Sequence, residues 1–132
     1  MTANTQETAP RGELMVAVVA MPADANPAGD IFGGWILSQM DITGGIAASR
    51  RARGRCATVG VKEMAFHRPV HIGDLVRCYA TIERVGRTSI TVDVQVWAAS
   101  HSELVAEQLV TEGIFTYVAI DQDRKPRVVP PE

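Results

Sequence analysis

The chain has 132 residues, 46% of them hydrophobic and 21% charged, enough for one globular domain with its own core and little room for a second. Thirteen lysines and arginines stand against fifteen aspartates and glutamates, a net charge of −2 that argues against general electrostatic capture of nucleic acid. No apolar run reaches the ~18 residues of a membrane span, and the polar stretch Met1 to Gly12 lacks an apolar h-region, so neither a membrane segment nor a secretory signal is expected.

In chain order, residues 1–12 read as a disordered lead, 13–121 as a single domain and 122–132 as a polar tail containing prolines. Leu14 to Met21 is short, apolar and partly β-branched, as a buried strand is. Pro22 to Asp30 holds two prolines, a glycine and several Asx residues, the chemistry of a loop. A helix of about 20 residues is expected over Ile31 to Arg53, starting near Phe32 with Asp30 as its N-cap. Arginines in its last turn and Gly54 after it are C-terminal signals. Apolar or small residues cover most of its surface, which predicts a central, buried helix. Gly44 and Gly45 lie inside it, either for close approach of a neighbouring backbone or as room for a ligand chain.

Four strands follow. Cys56 to His67 is the first. Asp74 to Val85 sets Val76, Cys78, Ala80 and Ile82 on one face, and Thr88 to Ser100 alternates Ile90, Val92, Val94 and Val96 with polar residues. A loop over Ser100 to Glu103 leads to a long strand, Leu104 to Ile120, with Val110, Ile114, Val118 and Ile120 in phase. The order β-α-β-β-β-β predicts an α+β fold in which a curved antiparallel sheet wraps one long helix, with an edge free to pair with another subunit. Cys56 and Cys78, 22 positions apart and without CxxC or Cys/His spacing, read as two reduced thiols of a cytosolic protein.

The chemistry concentrates in Asn26 to Asp41. A loop delivers Asn26 and Asp30 to a helix start. There Gly33 and Gly34 offer backbone N–H groups that lack intrahelical partners, at the positive end of the helix dipole. Asp41 lies seven residues beyond Gly34 on an otherwise apolar helix. A carboxylate there is costly unless paired or used. It is either a structural group, bonded to a hydroxyl such as Ser38 or across an interface, or a general base or nucleophile facing an oxyanion site, as hydrolysis of an activated acyl group requires. His67 and His71 flank Arg68-Pro69-Val70, a poor metal pair because Pro69 interrupts helical spacing, and no metal or other cofactor is expected. Ser38 lacks the G-x-S-x-G setting of a serine hydrolase, and Gly29 to Gly34 matches no phosphate or dinucleotide loop. Arg84 to Ser89 is a basic hairpin turn with two hydroxyls, suited to phosphates or simply solvated.

The segment GDIFGGWILSQMD (Gly29–Asp41) strongly resembles the hotdog-fold acyl-coenzyme A thioesterases, in particular the YciA-type branch related to the brain acyl-CoA hydrolases. The resemblance runs from about Met21 to Pro130 and includes AMPADANPAGDIFGGW (Ala20–Trp35), MAFHRPVHIGD (Met64–Asp74), VGRTSI (Val85–Ile90) and FTYVAID (Phe115–Asp121). It implies a hotdog fold dimerised edge to edge, with the dimer as the minimal active unit and trimers of such dimers, homohexamers, as the frequent assembly. The implied activity is hydrolysis of acyl-CoA to a carboxylic acid and coenzyme A in the cytoplasm. Carried over by position, Asp41 is the catalytic carboxylate, Asn26 positions the thioester or water from the partner subunit, and the amide of Gly34 polarises the carbonyl. Gly33, Arg68, Arg84, Gly86, Arg87, Thr88 and Ser89 form the substrate and coenzyme A contacts. The alternative within the fold is a non-catalytic acyl-CoA-binding sensor. A hotdog dehydratase is less favoured, because the expected helix contains no histidine.

Overall fold

The elements follow from two periodicities. In the computed structural model, which describes residues 9–100 and 106–132, the strands are β1 (Glu13–Val19), β2 (Cys56–Phe66), β3 (Leu75–Val85), β4 (Ser89–Ala99) and β5 (Gln108–Ala119). The helix α1 (Gly33–Ala52) is preceded by a short 3₁₀ turn, Pro22–Asp24. The strands form one antiparallel sheet in the order β1-β3-β4-β5-β2, and α1 packs across all five. This is the α+β architecture expected. Among the described residues no helix is long and apolar enough to cross a membrane.

The core lies between the helix and the concave face of the sheet. Ile90, Val92, Val94 and Val96 of β4 are fully buried, in the alternation read from the sequence. β5 departs from its expected phase. Its core residues are Phe115, Tyr117 and Ala119, whereas Ile114 and Val118 are only half-buried. The register shifts opposite Val96 and Trp97, so Val110 is the extra residue of a bulge. One extra residue reverses which side chains face the core. β5 also begins later than expected. Ala106 and Glu107 lie outside the strand, and Glu107 instead accepts hydrogen bonds from Arg77 (2.7 Å) and Tyr79 (3.0 Å). The loop expected over 100–103 falls mostly outside the described residues.

The helix differs from expectation in two ways. It buries one face only, through Ile36, Met40, Thr43, Gly44, Ala47, Ala48 and Ala52, while Leu37 and Ile42 stay exposed. Asp30 is not its cap. Asp30 bridges to His71 and Ile31 N donates to Val70 O, so the chain is still paired as a strand there and turns into the helix only at Phe32, which makes no side-chain cap.

Both termini are tied to the sheet where they are described. Arg11 Nε donates to Asp93 (2.9 Å) on the outer face, and Arg11 N donates to Gln95 (2.8 Å). Residues 1–8 of the expected lead lie outside the described residues. At the other end the tail folds back. Ile120 bridges to Pro126, Val129 N donates to Arg87 O and Val129 is buried in the core.

Candidate active site

Asp41 sits in the third turn of α1, over the paired strands β2 and β5. Thr58 and Tyr117 are direct cross-strand partners, so their side chains rise from one face side by side. Thr58 Oγ1 donates to Asp41 Oδ1 at 2.7 Å, and Tyr117 Oη lies 3.0 Å from both Asp41 Oδ1 and the Asp41 carbonyl oxygen. Asp41 Oδ2 has no hydrogen-bond partner among the described residues. Ser38, the sequence's candidate partner for Asp41, instead donates to Trp35 O at 2.7 Å.

Tyr117 is 1% exposed, and its hydroxyl is pushed well above the ordinary tyrosine range, by burial first and then by the Asp41 carboxylate. It is therefore a neutral donor at any working pH. Burial pushes the Cys78 thiol up to about 11 and raises Cys56 as well, which disfavours the thiolate at both.

At the helix start, Trp35 N and Ile36 N donate to Phe32 O, while the amides of Gly33 and Gly34 make no backbone hydrogen bond among the described residues. Among the described residues, nothing beyond the helix's own backbone and the adjoining residues lies within 4 Å of the position a Gly34 side chain would take. Amides without a backbone partner at a helix start are what an oxyanion site requires. A cavity of about 320 Å³ opens beside them, lined by Ile31, Gly33, Ile36, Phe66, Arg68 and neighbours. Asn26 shapes the preceding loop. Its Oδ1 accepts from Ala28 N (2.9 Å) and Asp30 N (3.1 Å), which leaves the Nδ2 end to donate outward.

One chain does not bring all these groups together. Seven helical residues separate Gly34 from Asp41, a rise of roughly 10 Å, too far for both to act on one carbonyl. The expected coenzyme A contacts divide the same way. Arg84, Gly86, Arg87, Thr88 and Ser89 lie at the β3–β4 turn, where Ser89 pairs with Val118, near Tyr117 and Thr58. Arg68 lies at the opposite end, where its Nε donates to Gln108 (3.3 Å), whose strand partner is Ala98. The length of β4, roughly 30 Å, separates the two groups. Arg84 and Arg87 are exposed and carry no ion pair among the described residues. His67 Nε2 faces Glu112 Oε2 at 2.8 Å and His71 lies 3.8 Å from Asp30 and Asp74. No group of three or more metal-ligating side chains converges among the described residues.

Sequence reasoning missed Thr58 and Tyr117. Thr58 read as an ordinary strand residue. The one available signal for Tyr117 is a polar-tipped aromatic ring in an otherwise apolar strand phase.

Residues 28–105 match the family model of the thioesterase superfamily. The chain is 49% identical over 128 residues to the acyl-CoA thioester hydrolase YciA of Salmonella typhimurium, covering 96% of both chains. The chain belongs to the thioesterase superfamily. Among solved structures it is similar to the hexameric thioesterase of Yersinia pestis, with a TM-score of 0.88 and 48% identity over 94% of this chain and 100% of that one. A hexameric hotdog fold thioesterase of Campylobacter jejuni superposes with a TM-score of 0.85 and 42% identity, covering 90% of this chain and 91% of that one. This thioesterase-superfamily chain therefore has the hotdog fold, its single helix wrapped by the five-stranded sheet.

Proposed function

We propose that this protein hydrolyses acyl-coenzyme A to a carboxylic acid and coenzyme A, with Asp41 as the catalytic carboxylate. The observation that carries this reading is the asymmetry of Asp41: Oδ1 is held by two hydroxyl donors and Oδ2 is left open. Oδ2 takes a proton from water as it attacks the thioester carbonyl, or adds to that carbonyl itself. The carbonyl oxygen gains negative charge and is received by the unpaired amide of Gly34. Collapse expels the thiolate. On the first route it recovers the proton that Asp41 took from water; on the second it takes a proton from solvent, and water then hydrolyses the acyl–Asp41 anhydride to the carboxylic acid and restores the carboxylate. A thioester lacks amide-like resonance, so these groups suffice without a metal or other cofactor.

The site is completed by a second copy. β2 is an edge strand with unpaired backbone groups on its outer side, and Val59 (59% exposed), Val61 and Phe66 of this strand are exposed, as is Ile42 of the helix. Antiparallel pairing of two β2 edges about a two-fold axis sets the Thr58 end of one strand against the Phe66 end of the other. Phe66 lies 3.7 Å from the position of a Gly33 side chain. Asp41 of one protomer thus meets Gly34, Asn26 and Arg68 of its partner, and the roughly 10 Å gap within one chain disappears. The same pairing brings the Arg84–Ser89 turn and Arg68 to one site, where they hold the phosphates of coenzyme A. The Yersinia pestis and Campylobacter jejuni relatives are hexameric, and we assign this chain the same assembly, a trimer of dimers. Two cysteines without a disulfide framework suit the cytoplasm.

The test is thiol release from a panel of short to long acyl-CoAs. Asp41→Asn should lower kcat by about 10²–10⁴-fold in a particle of unchanged mass. Turnover by Asp41→Asn at the parent rate refutes the role of Asp41. Binding of acyl-CoA by the parent with no thiol release would make the protein a sensor instead.

A further inference from the structure

Tyr117 enters the proposed chemistry only as a donor to Asp41, and its own placement has a further consequence for that carboxylate. Its ring is fully inside the core, stacked at 6.3 Å on Phe115, yet its hydroxyl emerges at the one carboxylate of the helix. The helix makes room for it at a single position. A side chain at Gly44 would overlap Tyr117 Oη and come within 2.9 Å of two ring carbons, whereas Gly45, one residue on, is clear of the ring by 3.9 Å. Gly44 is thus the niche through which the tyrosine reaches Asp41. The hydroxyl has one proton and two acceptors at 3.0 Å, Asp41 Oδ1 and the Asp41 carbonyl, so it locks the side chain to its own backbone turn. Thr58 donates to the same Oδ1 from the exposed edge strand. Together the two hydroxyls occupy Oδ1 and leave Oδ2 without a partner among the described residues.

We infer that Tyr117, admitted by Gly44, is a positioning residue that acts through Asp41: it fixes the carboxylate rotamer so that Oδ2 is the oxygen presented to the reacting water or thioester. The inference rests on the proposed role of Asp41. Burial, and then the Asp41 carboxylate, push the phenol well above the ordinary tyrosine range, which favours its donor form.

Tyr117→Phe keeps the ring and removes only the donor. In the intact assembly, kcat for acyl-CoA hydrolysis should fall roughly tenfold, the worth of one hydrogen bond to a charged group, with KM within about twofold of the parent. Incorporation of 4-aminophenylalanine at 117, which restores an N–H donor at the same place, should recover most of the lost kcat. Where Tyr117→Phe fails to assemble, 4-fluorophenylalanine, which fills the niche without a proton to give, takes its place. In an Asp41→Asn background the Tyr117→Phe change should cost nothing further, because the group it orients is already gone. A kcat within twofold of the parent, a loss seen only in KM, or an equal tenfold loss in the Asp41→Asn background each overturns the inference. An Asp41→Asn enzyme as active as the parent would instead overturn the proposed role of Asp41, so the two failures are told apart by that variant alone.

Discussion

A carboxylate on a packed helix is a liability unless its lone pairs are spoken for. Here Oδ1 of Asp41 is satisfied by Thr58 and Tyr117, and Oδ2 alone stays available, which in the proposed chemistry separates the oxygen that anchors from the oxygen that reacts. Gly44 belongs to the same arrangement. The sequence left open whether it admits a backbone or a ligand, and the structure fills that space with the Tyr117 ring. A methyl group at 44 must push the ring and its hydroxyl away. Gly44→Ala should therefore destabilise the fold by about 1–3 kcal/mol, the usual cost of overpacking, and lower kcat as well. Gly45→Ala has room and should leave both near the parent values. Thermal unfolding and thiol-release assays on the two variants check this.

At the scale of the element, α1 shows how local signals locate a helix without fixing its exact ends. The arginines before Gly54 marked its C-terminus correctly, but the residue in left-handed conformation is Arg53, with φ 53° and ψ 44°, not the glycine. Gly54 is small for another reason: Arg127 Nη2 lies only 2.5 Å from where its side chain would start. A non-glycine residue pays for the left-handed region, and the Arg53 side chain is exposed without a hydrogen bond or ion pair among the described residues. Arg53→Gly should thus stabilise the protein by about 0.5–1 kcal/mol, seen as a rise of a few degrees in Tm with activity unchanged. β5 teaches the complementary lesson. Its apolar alternation was readable, but one bulge at Val110 turned Phe115 and Tyr117 inward and Ile114 and Val118 outward. That reversal is what delivers a tyrosine hydroxyl to Asp41.

At the scale of the whole molecule, the proposed two-fold partner would cover both the exposed second face of the helix and the β2 edge. The expected central, buried helix is buried on one face only in a single chain, where Leu37 and Ile42 are apolar yet exposed. The proposed site makes a sharp prediction. Asp41→Asn and Asn26→Ala spoil different halves of it, so each variant alone should be nearly inactive. Unfolded together and refolded as a mixture, half of the dimers pair one of each, and in these one of two sites is intact. The mixture should regain about a quarter of parental activity by this counting. A site contained in one chain would give no recovery, and light scattering on the refolded sample confirms that assembly occurred.

Hydrophobic period, turn residues and the charged helix end are local properties, and from them the sequence alone determined the order of elements, the long helix, the antiparallel sheet and Asp41 as the one costly carboxylate on it. The motif from Gly29 to Asp41 added the family. Which groups meet Asp41 was decided only in three dimensions, because Thr58 lies 17 residues and Tyr117 76 residues away in the chain. Their convergence depends on the register of β2 against β5, and register is set by bulges and by packing under the helix rather than by the identity of either residue.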